Sequence, residues 1–420
     1  MAMQGDPAAE GEQPIVVIGL GHAGMQVTAL LRQGGCTGEI IAIEADATEP
    51  YQRPPLSKKF NWPDHLEPLK PADFFTGQRI EAIFDRRVVG LERQSRRVRL
   101  SDGTAIGYRK LVIATGARAV VPDVAGFELA GVQTLRTLDD VAVLRKAAVP
   151  GAHLLIIGGG YIGLEVAATA AAEGVEVTIV EREAQLLART ASPRFAAEIE
   201  RMQRALGVRV RCATTVTELQ GGPQVRAARL SDGSTVAVDA VLVGVGVVPN
   251  SEPAVAAGID CRNGIVVDRS GRTSDPDVFA IGDVTSRPLP DGSRARLESI
   301  PSAVEQAKAA AAAILGEAPA PLEVPWFWSD QCDHRIKVAG LLDPARELDV
   351  FIKRSGEPDS LTVLHVAGDQ LVCAETVNSA VDFMAARKFI KDGRQLDRRL
   401  LGEPDIPLKD SLLTKVRNQS

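Results

Sequence analysis

The sequence predicts an α/β protein in which two βαβ domains of similar plan precede a C-terminal α+β domain. Three observations lead to this fold class. A glycine fingerprint follows an apolar strand twice, at Gly19–Gly24 and at Gly158–Gly163. The residues after 325 alternate short strand signals with one helix signal. With 420 residues, the chain is also too long for one ordinary hydrophobic core.

The two copies carry the same signals in the same order. The first has the strand Pro14–Ile18, the turn Gly19-Leu20-Gly21-His22-Ala23-Gly24, a helix to about Gln33, the strand Glu39–Glu44, a hairpin at Ser101-Asp102-Gly103 and the strand Leu111–Gly116. The second has the strand His153–Ile157, the turn Gly158-Gly159-Gly160-Tyr161-Ile162-Gly163, a helix to Glu173, the strand Val175–Glu181, a hairpin at Ser231-Asp232-Gly233 and the strand Ala240–Gly246. This internal repeat predicts two domains of related structure.

A later strand, Asp277–Asp283, ends in Gly-Asp and has no fingerprint of its own. We therefore expect it to return to the first domain, with the second domain inserted between. A helix over Ser302–Leu315 and a proline-marked linker follow. The third domain is predicted to contain the strands Ile336–Ala339, Val350–Lys353, Leu361–Val366 and Gln370–Ala374 and a helix near Ser379–Lys391. The predicted boundaries are 1–121 with 247–324, then 122–246, then 325–420.

The composition excludes several classes of protein. A net charge of −6 argues against a nucleic-acid binder, and no apolar run is long enough to cross a bilayer. The five cysteines are scattered, with no CxxC or CxxxxC, and the five histidines are scattered too. We expect neither a disulfide framework nor a metal site. Residues Met1–Gln13 lack the features of a secretory signal, so we expect a flexible tail and a cytoplasmic protein.

Each fingerprint suits the binding of a dinucleotide. The glycines let the backbone turn tightly and approach a pyrophosphate, which then lies on the free N–H groups at the start of the helix. An acid ends the second strand of each copy, Glu44 in the first and Glu181 in the second, and can accept hydrogen bonds from ribose hydroxyls. Two such sites in one chain suggest that one holds a flavin and the other an exchanging nicotinamide nucleotide.

Further motifs resemble those of the FAD-dependent pyridine nucleotide reductase superfamily, and within it the putidaredoxin-reductase-like NADH:ferredoxin reductases of bacterial oxygenase systems. The segments that carry this resemblance run through nearly the whole chain: Val17–Gly24, Tyr51-Gln52-Arg53-Pro54-Pro55-Leu56-Ser57-Lys58, Ala114-Thr115-Gly116, Gly158–Glu165, Gly244-Val245-Gly246-Val247-Val248-Pro249-Asn250, Ala280-Ile281-Gly282-Asp283 and Pro325-Trp326-Phe327-Trp328-Ser329-Asp330-Gln331. The resemblance implies two Rossmann-like, glutathione-reductase-like domains plus the C-terminal α+β domain.

The resemblance implies that FAD binds the first domain. The pyrophosphate would face Ala23 and the glycines Gly19, Gly21 and Gly24, the adenosine ribose Glu44, the ribityl chain Asp283, and the flavin ring Lys58 and Trp328. Further cofactor contacts are assigned to His22, Arg53, Val88, Ala114, Thr115, Gly116, Arg136 and Ile300. Relatives place the ribose acid one residue later, where this chain has Ala45, so Glu44 and Asp46 are both candidates.

NADH is expected in the second domain. Its assigned contacts are Gly158, Gly160, Tyr161, Ile162, Gly163, Glu181, Arg189 and Gly246. The carboxylate of Glu181 would repel a ribose 2′-phosphate, which favours NADH over NADPH, although Arg182 beside it weakens that argument.

Lys58 and Glu165 are the predicted catalytic pair. The resemblance implies that they meet where flavin and nicotinamide meet. A lysine there can stabilise negative charge on the reduced ring, and a carboxylate can hold its ammonium in place. The residues alone would suggest a surface lysine and a separate acid at a helix start.

The absence of a cysteine pair separates this chain from the disulfide reductases of the same superfamily, because thiol–disulfide exchange needs two accessible sulfurs. The predicted activity therefore passes electrons from NADH through FAD, one at a time, to a 2Fe–2S ferredoxin. That ferredoxin would serve a cytochrome P-450 or a Rieske-type oxygenase, and the enzyme would be a monomer.

Two alternatives stay open from the sequence. One is a rubredoxin reductase, and the other is an NADH-responsive flavoprotein similar to apoptosis-inducing factor. For an acidic ferredoxin we expect docking on basic residues, either Arg294 with Arg296 or the cluster Arg387, Lys388, Lys391, Arg394, Arg398 and Arg399.

Overall fold

The computed structural model describes residues 13–60, 67–343, 346–354, 359–404 and 406–413. The tail predicted at Met1–Gln13 lies outside these ranges except for Gln13. The described chain forms two compact units. The first unit contains 13–52, 67–118 and 248–323, and the second contains 53–60, 119–247 and 324–413. The short segment that carries Lys58 thus belongs to the second unit, although it is encoded within the sequence of the first.

The elements follow one another as short strands and amphipathic or apolar helices. In chain order they are β1 (Ile15–Ile18), α1 (His22–Gln33), β2 (Ile40–Ile43), α2 (Pro55–Lys58), α3 (Phe74–Gly77), β3 (Glu81–Ile83), β4 (Val88–Glu92), β5 (Arg97–Leu100), β6 (Ala105–Gly107), β7 (Lys110–Ile113), β8 (Ala117–Ala119), β9 (Val132–Gln133), α4 (Leu138–Ala147), β10 (His153–Ile157), α5 (Tyr161–Ala172), β11 (Glu176–Val180), α6 (Pro193–Ala205), β12 (Arg209–Arg211), β13 (Val216–Gly221), β14 (Val225–Leu230), β15 (Thr235–Ala237), β16 (Ala240–Val243) and β17 (Val247–Pro249).

The remaining elements complete the first unit and form the C-terminal part of the second. They are α7 (Glu252–Ala256), β18 (Ile265–Val266), β19 (Val278–Ala280), β20 (Thr285–Pro288), β21 (Arg294–Ala295), α8 (Ile300–Ile314), β22 (Trp326–Gln331), β23 (His334–Gly340), β24 (Asp349–Lys353), β25 (Leu361–Ala367), β26 (Gln370–Val377) and α9 (Ala380–Asp392), with 3-10 turns at Gly282–Val284 and Leu408–Asp410. Most bounds differ from those predicted by one to three residues, as expected for frayed ends.

The first unit is built on a parallel sheet with strand order β19-β7-β1-β2-β3. All four residues of β1 are buried, because helices α1 and α8 cover one face of the sheet and the antiparallel strands β4–β6 lie towards the other. The strand β19 pairs with β7 through Val278↔Leu111 and Ala280↔Ile113. The strand before the Gly-Asp motif therefore closes the edge of the first sheet.

The second unit contains a parallel sheet of the same kind with strand order β12-β11-β10-β16-β9, and the three-stranded antiparallel sheet β13–β15. Its C-terminal part is an antiparallel sheet with order β22-β23-β26-β25-β24, on which α9 packs. Strand β22 was not predicted from the sequence, and it pairs with β23 along its whole length. Three prolines precede this aromatic-rich segment, and they indicate a linker rather than a strand.

A buried carboxylate joins α6 to the C-terminal part of the second unit. The side chain of Glu198 is 7% exposed and accepts hydrogen bonds from Arg354 at 2.7 Å and from Arg201 at 2.8 Å. Burial alone would raise the pKa of Glu198, but the hydrogen bonds from the two guanidinium groups outweigh it and lower the pKa. The charged form of Glu198 is thus stabilised by folding.

We expect Glu198→Gln to destabilise the protein at pH 7 by about 1–2 kcal/mol, since hydrogen bonds to a charged group are lost. Because the folded pKa is lowered, this contribution is present above the ordinary value of about 4.3 and disappears as pH falls through the folded pKa. Thermal unfolding at pH 7 and near pH 3.5 measures both effects. Glu200→Gln, which breaks a more exposed pair with Arg204 on the same helix, is the control. If Glu198→Gln and Glu200→Gln lose the same amount of stability at pH 7, the prediction is contradicted.

Candidate active site

The first glycine turn, Gly19–Gly24, leaves an open concave surface at the start of α1, which is called the first cradle below. Gly19 has φ +90°, and a Cβ there would lie 2.5 Å from the carbonyl oxygen of Ala114. A Cβ on Gly24 would overlap the carbonyl oxygen of Gly19, so this position needs close backbone packing. A Cβ on Gly21, by contrast, would meet none of the described atoms within 4 Å. The backbone at Gly21 therefore faces open space that a phosphate can approach.

The second turn repeats this geometry at the start of α5. Gly158 has φ +106°, and a Cβ there would lie 2.5 Å from the Gly244 oxygen. A Cβ on Gly163 would lie 2.8 Å from the Gly158 oxygen, whereas one on Gly160 would meet, among the atoms of the described ranges, only the Gly244 oxygen at 3.9 Å. The three glycines of each turn thus serve the same three purposes: a tight turn, an open face and close packing.

Both helices begin in a way that suits a phosphate. Gly21 is the N-cap of α1 and Gly160 the N-cap of α5, and in neither case does a described side chain cap the helix. Neither first turn contains an acid. The first N–H groups of each helix and its positive end are therefore available to an anion. The residues present fit the pyrophosphate of a dinucleotide in both units.

The two strand-end acids hold these turns in shape. Glu44 accepts hydrogen bonds from the backbone N–H groups of Leu20 at 2.6 Å and Ala45 at 2.7 Å. Glu181 accepts in the same way from Gly159 at 2.6 Å and Glu183 at 2.8 Å. Each acid thus fixes its glycine turn, and its contact with a ribose stays a prediction. Glu44, rather than Asp46, is the acid that contacts the first turn.

The Gly-Asp motif lies against the first cradle. Gly282 has φ +78°, and a Cβ there would lie 3.0 Å from the Ala23 side chain. The hydroxyl oxygen of Thr285 lies 2.8 Å from the Gly282 oxygen and 2.7 Å from Gln306 Oε1, and these contacts fix the 3-10 turn that carries Asp283. Asp283 itself is half-buried. This close approach explains why glycine is required at position 282.

The other residues of the first unit that are predicted to bind FAD lie in or beside several of its elements. The Thr115 hydroxyl donates to the backbone oxygen of Asn250 at 2.8 Å, and the backbone oxygen of Thr115 accepts from Asn250 Nδ2 at 2.9 Å. These two hydrogen bonds join the Ala114-Thr115-Gly116 turn to the end of the Gly244–Asn250 motif. His22 contacts Gln52 at 2.8 Å. Val88 is buried at the start of β4, and Ile300 is the first residue of α8.

Lys58 and Glu165 form an ion pair in the second unit. Lys58 Nζ lies 2.6 Å from Glu165 Oε1, with the two side chains 17% and 5% exposed. Two hydroxyls that the sequence analysis missed complete the coordination of the carboxylate. Ser57 donates to Oε2 at 2.5 Å and Ser329, a buried residue of β22, donates to Oε1 at 2.6 Å. Nearly all the lone pairs of Glu165 are engaged, so its position, and with it that of the ammonium, is fixed.

Other residues assigned to NADH lie around the second cradle. Arg189 approaches Gly246, since a Cβ there would lie 3.4 Å from Arg189 Nη2. Ile162 is 44% exposed on the first turn of α5. Arg182 forms an ion pair with Glu183 at 2.9 Å, which reduces its ability to attract a 2′-phosphate. The preference for NADH over NADPH, predicted from Glu181, stays a prediction.

Three aromatic residues lie on β22, and Tyr161 of α5 contacts that strand. Tyr161 packs edge-on against Phe327 with ring centroids 4.9 Å apart. Burial, with the nearby charge of Glu375, raises the pKa of the Tyr161 phenol well above its ordinary value, so it stays neutral. The ring centroids of Trp328 and Trp326 lie 5.8 Å apart, and both rings are half-buried. Arg53 and Arg136 are half-buried as well.

The cysteines offer no redox pair, and each is free. Burial raises the pKa of the Cys332 and Cys373 thiols, which disfavours the reactive thiolate. Within the described ranges, no group of histidine, cysteine and acidic residues could hold a metal ion, and no helix is long and apolar enough to span a membrane.

Comparison with known proteins agrees with this geometry. Residues 13–307 match the model of the pyridine nucleotide-disulphide oxidoreductase family, and residues 326–412 match the reductase C-terminal family. The chain is 38% identical to the probable ferredoxin reductase CtmF of Castellaniella defragrans, over 93% of this chain and 97% of that protein. It is also 38% identical to the ferredoxin–NAD(+) reductase component of the anthranilate 1,2-dioxygenase system of Burkholderia cepacia, over 95% and 99% of the two chains. The crystal structure of a covalent putidaredoxin reductase–putidaredoxin complex matches with a TM-score of 0.91 and 34% identity, over 95% of this chain and 97% of that chain.

Proposed function

This chain belongs to the pyridine nucleotide-disulphide oxidoreductase family, and from that premise we propose that it is an FAD-dependent NADH:ferredoxin reductase. It accepts a hydride from NADH and delivers electrons singly to a 2Fe–2S ferredoxin that serves a cytochrome P-450 or Rieske-type oxygenase. The observation that carries the proposal is the pair of equivalent dinucleotide cradles in a chain that has no cysteine pair. We also propose a cytoplasmic location, since the electron donor is NADH.

The first cradle would hold FAD through the N–H groups at the start of α1, with Gly21 open to the pyrophosphate and Asp283 near the ribityl chain. The second would hold NADH at the start of α5, with Glu181 and Arg189 near the adenosine end. When bound, FAD supplies the hydride acceptor and releases electrons one at a time. The protein provides no nucleophile in this scheme.

Lys58 would supply positive charge where negative charge develops during hydride transfer. Glu165, Ser57 and Ser329 keep the Lys58 ammonium in one place, so little reorganisation is needed as the charge appears. We propose that Lys58 is the catalytic residue of the pair and that Glu165 is its positioning residue.

The acceptor assay tests the proposed function. NADH reduction of the flavin is followed by stopped-flow absorbance, and turnover is then measured with putidaredoxin, with a rubredoxin and with ferricyanide. Fast flavin reduction with turnover on the 2Fe–2S protein supports the proposal. Turnover on rubredoxin alone, or a long-lived reduced flavin that no protein acceptor reoxidises, contradicts it.

Docking of the ferredoxin is proposed on the outer face of α9. Val381 and Met384 are 67% and 61% exposed there, and Lys388 and Lys391 continue the same face at helical spacing. Of the other predicted cations in this unit, Arg387 lies over Trp326, Arg398 pairs with Asp349 and Arg399 pairs with Asp397. In the first unit, Arg294 donates to backbone oxygens and Arg296 pairs with Glu298.

We expect Lys388→Glu to lower the rate constant for ferredoxin reduction about tenfold at low salt, because a steering charge is reversed. The difference from wild type should shrink as ionic strength rises. Reduction of the flavin by NADH should not change. Lys308→Glu, an exposed position of α8 with the same change of charge, is the control. Equal ferredoxin kinetics for the two variants would rule out the α9 face.

A further inference from the structure

We infer that Glu375, a residue of the C-terminal sheet, is a positioning residue for the nicotinamide nucleotide. The second glycine turn holds one end of the segment 181–192, which carries Glu181 and Arg189. The carboxylate of Glu375 holds the other end. The inference rests on the proposed function, in that it takes the second cradle to be the NADH site. It assigns to the C-terminal sheet a part in NADH binding that is separate from the docking of ferredoxin.

The segment 181–192 connects β11 to α6, and its first part is tied to the second glycine turn. Gly159 donates its backbone N–H to Glu181 at 2.6 Å, and Leu187 donates its own to the Gly159 oxygen at 3.0 Å. Leu187 has φ +54°, in the left-handed region that a leucine rarely adopts. Such a conformation persists only where its surroundings fix the backbone on both sides.

Glu375 fixes the far side of this segment. Ser192 donates its backbone N–H to Glu375 Oε1 at 2.9 Å and its hydroxyl to Oε2 at 2.5 Å. The same hydroxyl accepts from Phe195 N–H at 3.2 Å and so forms the N-cap of α6. The junction between the segment and α6 is thus set by one carboxylate from β26.

The carboxylate is itself held rigidly. Glu375 is fully buried on β26, where it lies between Val338 of β23 and Val363 of β25. His365 of β25 lies 2.8 Å from Oε2 through its Nε2. An acid in such a place has no access to water and depends on these hydrogen bonds. Apolar residues of similar volume would fill the same space at less cost, so a specific geometric role is the better explanation for the acid.

A second contact brings the start of α5 to the same sheet. The ring of Tyr161, in the fingerprint itself, packs on Phe327 of β22. The sheet therefore supports both walls of the NADH cradle, through Tyr161 on one side and Ser192 on the other. If the anchor at Ser192 is removed, Leu187 can relax and Arg189 can leave its place beside Gly246.

The test compares Glu375→Gln with Glu198→Gln, since both remove a buried carboxylate contact between α6 and the C-terminal part of the unit. For Glu375→Gln we expect the dissociation constant of NAD⁺, measured by calorimetry, and the KM for NADH to rise about tenfold. The kcat at saturating NADH, the FAD content and the KM for ferredoxin should stay within about twofold of wild type. Glu198→Gln should lower stability without weakening NAD⁺ binding.

Ser192→Ala provides a second variant that leaves Glu375 paired with His365, and it should weaken NAD⁺ binding in the same direction. If both Glu375→Gln and Ser192→Ala keep wild-type NAD⁺ affinity, the inference is wrong and the contact is structural only. Equal loss of NAD⁺ affinity in Glu198→Gln would also overturn it, because the effect would then be general loosening. Failure of the proposed function is seen separately, as absence of flavin reduction by NADH in the wild type.

Discussion

Replacing Lys58 by methionine should slow the reduction of bound flavin by NADH on the order of 100-fold, because a fixed charge that stabilises the transition state is lost. Methionine resembles the lysine side chain as far as Cε and lacks the ammonium. Glu165 would retain its hydrogen bonds from Ser57 and Ser329, so its carboxylate would remain partly satisfied. The measurement is the rate of flavin bleaching in anaerobic stopped-flow at saturating NADH.

Lys59→Met is the matched control, since Lys59 is the next residue and is exposed. We expect Lys59→Met to reduce its flavin at the wild-type rate, and both variants to keep a full complement of FAD. If Lys58→Met is reduced as fast as Lys59→Met, the ammonium has no part in hydride transfer. The ion pair with Glu165 would then serve the packing of α2 on α5 only.

Valine at position 21 should abolish FAD binding, and valine at position 160 should abolish NADH binding. Both glycines have extended backbone angles that valine can adopt, φ −66° with ψ −169° and φ −83° with ψ 169°. A side chain at either place would meet little or none of the described protein but would fill the space that a pyrophosphate approaches. Each hydrogen bond lost to a phosphate costs about 1.5–3 kcal/mol, so a loss of two weakens binding by at least about 100-fold.

The two variants separate the roles of the cradles. Gly21→Val should purify without FAD yet show the circular dichroism of a folded protein. Gly160→Val should keep its FAD and accept electrons from dithionite but not from NADH. Gly222→Val, at an exposed position that is also open, is the control for both. Retention of FAD in Gly21→Val, or NADH reduction of Gly160→Val at the wild-type rate, would contradict this assignment.

The fold class and the family predicted from the sequence are confirmed. They could be predicted because each glycine fingerprint has a steric purpose that only glycine satisfies, as Gly19 and Gly158 show. The assignment of FAD and NADH to particular residues stays a prediction. The sequence placed Lys58 and Glu165 together only through a resemblance, since 107 positions separate them and no local pattern joins them.

The contacts that could not be predicted from the sequence have one physical cause in common. Ser57, Ser329 and Ser192 are small hydroxyls whose partners come from distant segments, so their roles depend on tertiary packing alone. Glu375 and His365 lie in strands of mostly buried residues. The local sequence pattern of such a strand does not indicate which residue pairs with a charged side chain in it. Strand β22 was not predicted because the three prolines that precede it indicate a linker. A short strand becomes recognisable only beside the strand that it pairs with.

The placement of α2 bears on how far this protein can be divided into modules. Residues 53–60 are encoded inside the first unit but fold with the second, where the Lys58 oxygen accepts from Thr169 at 3.2 Å. A truncated flavin-binding fragment cut at the predicted boundaries would carry Lys58 without Glu165. A nicotinamide-binding fragment cut in the same way would carry Glu165 with neither Ser57 nor Lys58. Exchange of whole modules between relatives should therefore move residues 53–60 together with the second unit.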